Sequence, residues 1–530
     1  MKSNIMKYSA AALLCGALTL SSSCTGGFEE MNTSPFGVSD QELTQDNNLI
    51  GMHFPTIQQS IYYNRGGGGW GYQIFQNLSA DIWSGYMATP SDFKGGINNQ
   101  TYFLNNDWND SCWEYTYDNV MSNQIRVKEK CAEQGDLYSH YDAINTILRV
   151  LAMSRIADQY GPIIYSKYGE TKLGGEYDSA QDAYKLFFSE LTAAVNTLNE
   201  YTTRQVPSFA AFDMTYGGDL SKWAKLGNTL RLRLAMRVVK YDSTWARTEA
   251  EAAIKAPQGL LQRGESLIIS GFGWKHPLYT CSIEYQDIFI SANIQSILAG
   301  YEDARIEKFG IINGDKQIVG VRTGIPDTDE LADPYKAIIS RINVEPESPA
   351  VIVSAAEAFF LLAEAALRGW DTNGGDAKSF YEEGISVSFA QWGASAGDYA
   401  SRSNVPADWN DPLRDDFDSP AVSHVSPRWE DAASNEERME KIITQKWIAG
   451  FPEGMNAWAE WRRTGYPRLF PILKNDSQGT IPTALGVRRL TYTLGEQRNN
   501  PAGYASAVQM LGGPDTGATR LFWDIDKPNL

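Results

Sequence analysis

Three sets of residues have types and spacings that could carry chemistry. Gly66, Gly68 and Gly71, inside "YYNRGGGGWGYQ", satisfy G-x-G-x-x-G, the spacing that cradles a dinucleotide pyrophosphate. Glu357 and Glu364 share the stretch "SAAEAFFLLAEAALRGW", and a carboxylate pair is what glycosidic-bond cleavage requires. "DTNGGDAKSFYE" offers Asp371, Asn373, Asp376 and Glu382 at faintly calcium-like intervals.

Each set fails on its context. The fingerprint needs a buried strand ahead of it, whereas "FPTIQQSIYYNR" is polar and aromatic and reads as a helix end. Bulky Trp70 would also fill the pyrophosphate's place. Along one helix the two glutamates are separated by about 10.5 Å of axial rise. A retaining glycosidase holds its carboxyl groups about 5 Å apart, on opposite sides of the bond. Ion pairing with Arg231, Arg233 and Arg237 of an earlier helix is the expected use of these carboxylates. The calcium-like run lacks glycine at its sixth position and reads as a helix–helix connection with an N-cap. The four histidines, His53, His140, His276 and His424, form no H-E-x-x-H and pair with no cysteine, so neither a metal site nor a cofactor is expected. There is no G-x-S-x-G elbow and no P-loop. No catalytic residue is assigned.

The elements behind these residues are helical. In "AYKLFFSELTAAVNTLNEY", Phe187, Leu191, Ala194, Val195 and Leu198 keep the 3.6-residue period. In "DLSKWAKLGNTLRLRLAMRVVKY", Trp223, Leu226, Leu230, Leu234 and Val238 form one stripe, and Leu232, Met236 and Val239 a second. A helix apolar on two faces is packed on both sides, as in stacked helical hairpins. Ser354 to Trp370 is apolar almost all round, and "NEERMEKIITQKWIAGF" turns Ile442, Ile443, Trp447 and Ile448 inward. Long Gly/Asn/Asp-rich loops are expected at Thr89 to Asp107, Gly259 to Tyr285, Gly310 to Pro349 and Ala394 to Pro427. Loops of that length in a compact protein are usually functional.

The first residues address the chain to a membrane. Lys2 and Lys7 precede the apolar run Ala11 to Leu20, which is too short to span a bilayer. "SSSCTGG" then places small residues before Cys24. This predicts a lipoprotein signal peptide over residues 1–23, a lipidated Cys24 and a single domain over 24–530; an ordinary secretory signal cut near Ser23 is the alternative. Cys112, Cys131 and Cys281 remain, an odd number, of which one pair could bridge. The net charge of −18 argues against nucleic acid and anionic lipid surfaces as partners. The 27 tyrosines and 15 tryptophans, against 21 phenylalanines, favour residues with both a flat apolar face and a hydrogen-bonding edge.

Several stretches, in this order, resemble the SusD/RagB family. They are "CTGGFEEMNTSPFGVS", "RIADQYGPIIYSKYG", "WAKLGNTLRLRLAMRV", "AEAFFLLAEAALRGW", "ITQKWIAGFPEGMNAWAEWRRTGYPRL" and "GVRRLTYTLGEQRNNPAGYASAVQMLGG". They run from Cys24 to near the C-terminus. "YEDARIEKF" departs from the family's Asp-Pro-Arg, with Ala304 between Asp303 and Arg305. The resemblance implies a mainly α fold, a tetratricopeptide-like helical-hairpin scaffold with a loop-rich ligand-binding face. It also implies an outer-membrane lipoprotein, not an enzyme, that binds oligosaccharides and caps a SusC-like TonB-dependent transporter. Oligopeptide binding on the same scaffold is the alternative, and a lipid-anchored glycosidase a weaker one. The motifs are scaffold motifs, so Trp447, Trp458, Trp461, Arg462 and Arg463 read as core, and no ligand residue is carried over from the family.

Ligand residues are sought instead from sugar chemistry: C–H faces stack on aromatic rings, and hydroxyls pair with Asn, Asp and Arg. Glycine-flanked loop aromatics are the best candidates. They are Trp70 and Tyr72 in "RGGGGWGY", then Trp274, His276 and Tyr279 in "GFGWKHPLY", then Asn98, Asn99 and Tyr102 in "KGGINNQTYF".

Overall fold

The computed structural model describes residues 47–62, 69–171, 174–271, 273–314 and 317–530. Cys24, Gly66 and Gly68 lie outside the described residues. By Cα proximity Met1–Leu49 and Ile50–Leu530 form separate units, and among the described residues every helix of ten residues or more belongs to the second.

Helices dominate. The long ones are α1 (Asn106–Thr116), α2 (Ser122–Glu133), α3 (Ser139–Tyr160), α4 (Ala180–Tyr201), α5 (Leu220–Arg237) and α6 (Ser243–Ile254), then α7 (Ala355–Leu367), α8 (Ala377–Gln391), α9 (Asn435–Gly450), α10 (Gly454–Thr464) and α11 (Pro501–Leu511). Their starts are written in the chain. Ser179, Asp219, Ser354, Asp376 and Ser434 each accept backbone N–H bonds at the N-cap of α4, α5, α7, α8 and α9. Asp376 forms a capping box with Ser379, so the calcium-like run is indeed a helix–helix connection.

Consecutive helices pack as hairpins: α2 on α3, α3 on α4, α4 on α5 and α5 on α6, then α7 on α8 and α9. The apolar stripe of α4 and both stripes of the α5 region are buried, as their periods require. Two antiparallel strand pairs tie distant loops together among the described residues. β1 (Met87–Ala88) pairs with β3 (Phe289–Ile290), and β2 (Leu267–Ile269) with β4 (Ala350–Val353). Parts of the expected loops are ordered into short helices, notably Asn99–Thr101, Pro277–Tyr279 and Thr328–Lys336.

The interior carries a connected charge network. Arg233 of α5 grips Glu357 of α7 through Nε and Nη2, at 2.9 and 2.5 Å. Glu460 of α10 accepts from Arg237 of α5 at 2.7 Å, Lys446 of α9 at 2.8 Å and Arg463 at 2.7 Å. Glu364, however, pairs with Arg463, through two bonds of 2.8 Å, and with Arg368, not with an arginine of α5. Arg231, on the outer side of α5, pairs with Glu249. Burial would raise the Glu364 carboxyl, yet the Arg463 and Arg368 guanidiniums hold it down to about 2. Such a group does not supply the neutral acid that glycoside cleavage needs.

Asp303 and Arg305 form a fully buried ion pair with Ala304 turned outward, so the Ala304 substitution leaves the pair intact. Cys112, Cys131 and Cys281 are free and buried. Burial pushes the Cys112 and Cys131 thiols up to about 12. No helix among the described residues is long and apolar enough to cross a membrane.

Candidate functional site

The structure brings two of the three sequence candidates together. "GWGY" closes into a short helix, Gly69–Tyr72, which packs against the helix Pro277–Tyr279 and the π-helical turn Thr280–Glu284. Gly69 is needed for that approach, because a Cβ there would stand 2.4 Å from Thr280 Cγ2. The Cys281 thiol donates to the Gly69 carbonyl at 3.4 Å.

Within this junction the candidates divide by burial. Tyr72 is fully buried and donates its hydroxyl to Asp81 at 2.9 Å. His276 is buried, and its Nδ1 accepts from the Leu278 N–H at 3.2 Å as a helix cap. Burial alone pushes the His276 imidazole down to about 3, so it stays neutral. The Tyr62 ring lies 5.2 Å from Tyr72 and 5.4 Å from His276 by centroids, and so bridges the two segments from beneath. Tyr72 and His276 are therefore corrected from ligand-facing residues to supports. A tyrosine or histidine whose polar atoms are engaged inside the fold has little left to offer a ligand.

On or next to these segments, Trp70 is 62% exposed and Tyr285 44%. Trp274 and Tyr279 are half-buried and pack on the core. The Trp274 indole N–H is buried with no hydrogen-bond acceptor among the described residues. Lys275 pairs with Glu284 beside them, and its ammonium lies 5.9 Å from the Tyr279 ring centroid. The two segments thus carry exposed and half-buried rings, with a neutralised ion pair near Tyr279. Tyr285 was missed by glycine-flanking, since its neighbours are Glu284 and Gln286.

The third candidate stretch lies elsewhere. Asn98 caps the turn Asn99–Thr101 and donates to the Phe93 carbonyl at 2.9 Å. Asn99 donates to the Leu78 carbonyl at 3.0 Å and to Asn109 Oδ1 at 2.9 Å, and accepts from the Asn105 N–H at 3.0 Å. Both amides are buried and spent on holding the loop, so both are corrected to structural residues. Tyr102 is buried too, but its ring lines a separate pocket with Trp461. Of the residues expected in the core, Trp447, Trp458, Arg462 and Arg463 are buried there, while Trp461 is only partly so.

With this architecture in view, the comparisons with known proteins are unambiguous about the class. The family described as "SusD-like: Susd and RagB outer membrane lipoprotein" matches residues 30–524. Among solved structures, a chitin-binding SusD homolog from Flavobacterium johnsoniae is 42% identical, with a TM-score of 0.86 over 91% of this chain and 100% of its own. A SusD homolog from Bacteroides vulgatus is 37% identical, with a TM-score of 0.85 over 93% and 100% of the two chains. A third, from Bacteroides ovatus, is 28% identical, with a TM-score of 0.83 over 91% and 100%. No curated protein matches. The chain belongs to the SusD-like family of outer-membrane lipoproteins.

Proposed function

We propose that this protein binds a neutral oligosaccharide at the outer membrane and delivers it to a SusC-like TonB-dependent transporter, without cleaving it. The observation that carries the reading is the exposed Trp70, on a short helix that packs against the segment Pro277–Glu284 over a buried floor of Tyr62, Tyr72 and His276. Sugar rings stack on such faces through their C–H surfaces. A neutral ligand needs no steering charge, which suits a chain of net charge −18. The 42% identity to a chitin-binding relative makes chitin fragments the first ligands to test.

Calorimetry of the chain from residue 25 onward, titrated with chitin oligosaccharides and with neutral glucans, tests this directly. Saturable binding without product formation over a day is the expected result. Release of shorter sugars would move the protein to the enzymes, and binding of oligopeptides alone would overturn the glycan reading.

The membrane anchor in this reading is a lipid on Cys24, after removal of residues 1–23, with the remainder working as one domain. Cys24→Ala should shift the protein from the membrane fraction to the soluble one and abolish acyl labelling. It should also end co-purification with a large barrel protein after mild detergent extraction. A Cys24→Ala protein that keeps its acyl label would show that the anchor is elsewhere.

A further inference from the structure

The short helix that carries Trp70 ends on Tyr72, and Tyr72 is bonded to Asp81, a carboxylate with no exposed surface. Asp81 Oδ1 accepts from Gln76 Nε2 at 2.9 Å and from the Gly454 N–H at 3.1 Å. Its Oδ2 accepts from the Tyr72 hydroxyl and from Asn77 Nδ2, each at 2.9 Å. All four donors are neutral. Arg155 of α3 comes near through Gln76, but its guanidinium is engaged by Glu453 at 2.6 Å, Gln76 Oε1 at 3.2 Å and the Ile61 carbonyl. The ionisable groups that face Asp81 are Tyr62, Tyr72, Tyr86, Cys281 and Glu453, and none of them carries a positive charge.

Tyr72 and Asp81 are nine residues apart. At about 3.6 residues per turn, that separation in an α-helix puts two side chains on opposite faces. Gln73–Asp81 is instead π-helical, with a break at Leu78 (φ −80°, ψ +16°), and the wider turns bring the two side chains together. An ionised carboxylate has about four acceptor sites, and all four are filled here. Proton uptake turns one oxygen into a donor, so one incoming bond must yield. At Oδ1 neither donor can turn away: the Gly454 N–H is fixed in the backbone, and Gln76 is held at its Oε1 by Arg155. The proton therefore belongs on Oδ2, between Tyr72 and Asn77. Asn77 Oδ1 is buried without a partner among the described residues, and a half-turn of the amide lets it accept the new O–H. The Tyr72 hydroxyl is then left with a neutral group in place of a charged acceptor. That exchange costs it roughly half the strength of the bond.

We propose that Asp81 is a positioning residue for the Trp70 helix: its ionised form grips Tyr72 and so presents Trp70, and proton uptake loosens that grip and weakens ligand binding. Burial raises Asp81 to about 6, so both forms are populated near neutrality. A ligand that prefers the ionised form binds more tightly as pH rises through 6, and its binding releases a proton. The stability that Asp81 lends the fold runs the other way, being present in acid and fading as pH rises. Affinity that merely followed stability would therefore have the opposite slope. The effect on sugar affinity rests on the glycan reading of Trp70; the response of Trp70 itself to pH does not.

The test follows the Trp70 indole resonance, assigned by its loss in Trp70→Ala, in the chain from residue 25 onward between about pH 5 and about pH 8. In the wild type it should move with a midpoint near 6. His276 stays neutral down to about 3, so that midpoint is not its own. Asp81→Asn, which offers one donor and one acceptor as the protonated acid does, should hold the resonance at its acid-limb position at every pH. Tyr72→Phe cuts the link while leaving Asp81 free to titrate, and should also give a flat profile; it carries the test alone if Asp81→Asn does not fold. Calorimetric affinity for chitin oligosaccharides should rise about two- to fivefold over the same interval in the wild type and stay level in both variants. A wild-type resonance that ignores pH, or a pH response that survives in Tyr72→Phe, overturns the coupling and leaves glycan binding untouched. A resonance that titrates as expected in a protein that binds no sugar at any pH supports the coupling and overturns the glycan reading.

Discussion

Glu460→Ala is expected to cost about 3–5 kcal/mol of folding stability, the loss typical when one partner of a buried charge cluster is removed. Glu460 is 4% exposed and receives Arg237, Lys446 and Arg463, three cations from three helices. Truncation leaves them facing one another in a buried site. Arg463 keeps Glu364, and Lys446 keeps Glu357 only at 3.7 Å, so the remaining anions do not make up the loss. Arg237 keeps Asp158 at 3.2 Å. Equilibrium urea unfolding of the two proteins measures the difference. Glu383→Ala, which breaks the exposed pair with Arg263, is the control and should change stability by about 1 kcal/mol or less. A Glu460→Ala loss as small as the control's would mean that the network is not what joins these helices.

The same network sets the acid response. Despite burial, nearby arginines and Lys446 hold Glu357, Glu364 and Glu460 below the ordinary carboxylate value, Glu364 at about 2. Their stabilisation is in full above the unfolded carboxylate range and is lost as pH falls through the lowered values. Asp81 acts in the opposite sense. Burial raises it to about 6, so its contribution is present in acid and fades as pH rises through 6. Its hydrogen bonds from Tyr72, Gln76, Asn77 and the Gly454 N–H limit that rise.

Trp70→Ala should weaken oligosaccharide binding about tenfold, near 1.4 kcal/mol, while the melting temperature hardly moves. The ring is 62% exposed and makes no hydrogen bond or ring contact with a described residue, so folding draws little from it. The backbone beneath is fixed by Gly69 against Thr280 and by the buried Tyr62, Tyr72 and His276. The ring is thus presented by packing rather than by loop flexibility, and little ordering entropy opposes its contact with a ligand. Tyr72→Phe gives the contrasting result: it strips Asp81 of a hydrogen-bond donor inside the core and should lower stability by about 1–2 kcal/mol. Calorimetric affinity set against melting temperature separates the two roles. Unchanged affinity in Trp70→Ala, with several degrees lost in melting temperature, would make Trp70 a structural residue.

The sequence by itself determined what depends on near neighbours along the chain. The 3.6-residue period of Phe187, Leu191, Ala194, Val195 and Leu198 predicted the buried face of α4, and that face is buried. Ser354 and Asp376 stand where N-caps must stand, and they cap. Two glutamates in an apolar helix implied buried partners, and the partners exist. These follow from local geometry, because a helix repeats within four residues and a cap reaches only its own first turn.

Tertiary structure alone decided which partner and which face. Glu357 found Arg233 of α5 as expected, but Glu364 found Arg463, 99 residues further along the chain. Trp70 and Tyr72 share one turn and the same glycine-rich stretch, yet one ring meets solvent and the other meets Asp81. The difference lies in Thr280 and His276, some two hundred residues away, which cover one side of that turn and leave the other open. Asn98 and Asn99 look like sugar ligands by composition, but an amide's role depends on which groups surround it, and here they are backbone carbonyls and Asn109. Trp461 lies in a stretch that reads as core, and its partial exposure depends on where Tyr102, Asn293 and Gly486 arrive. Solvent exposure is a property of the assembled surface, set by long-range packing, and no window of sequence contains it.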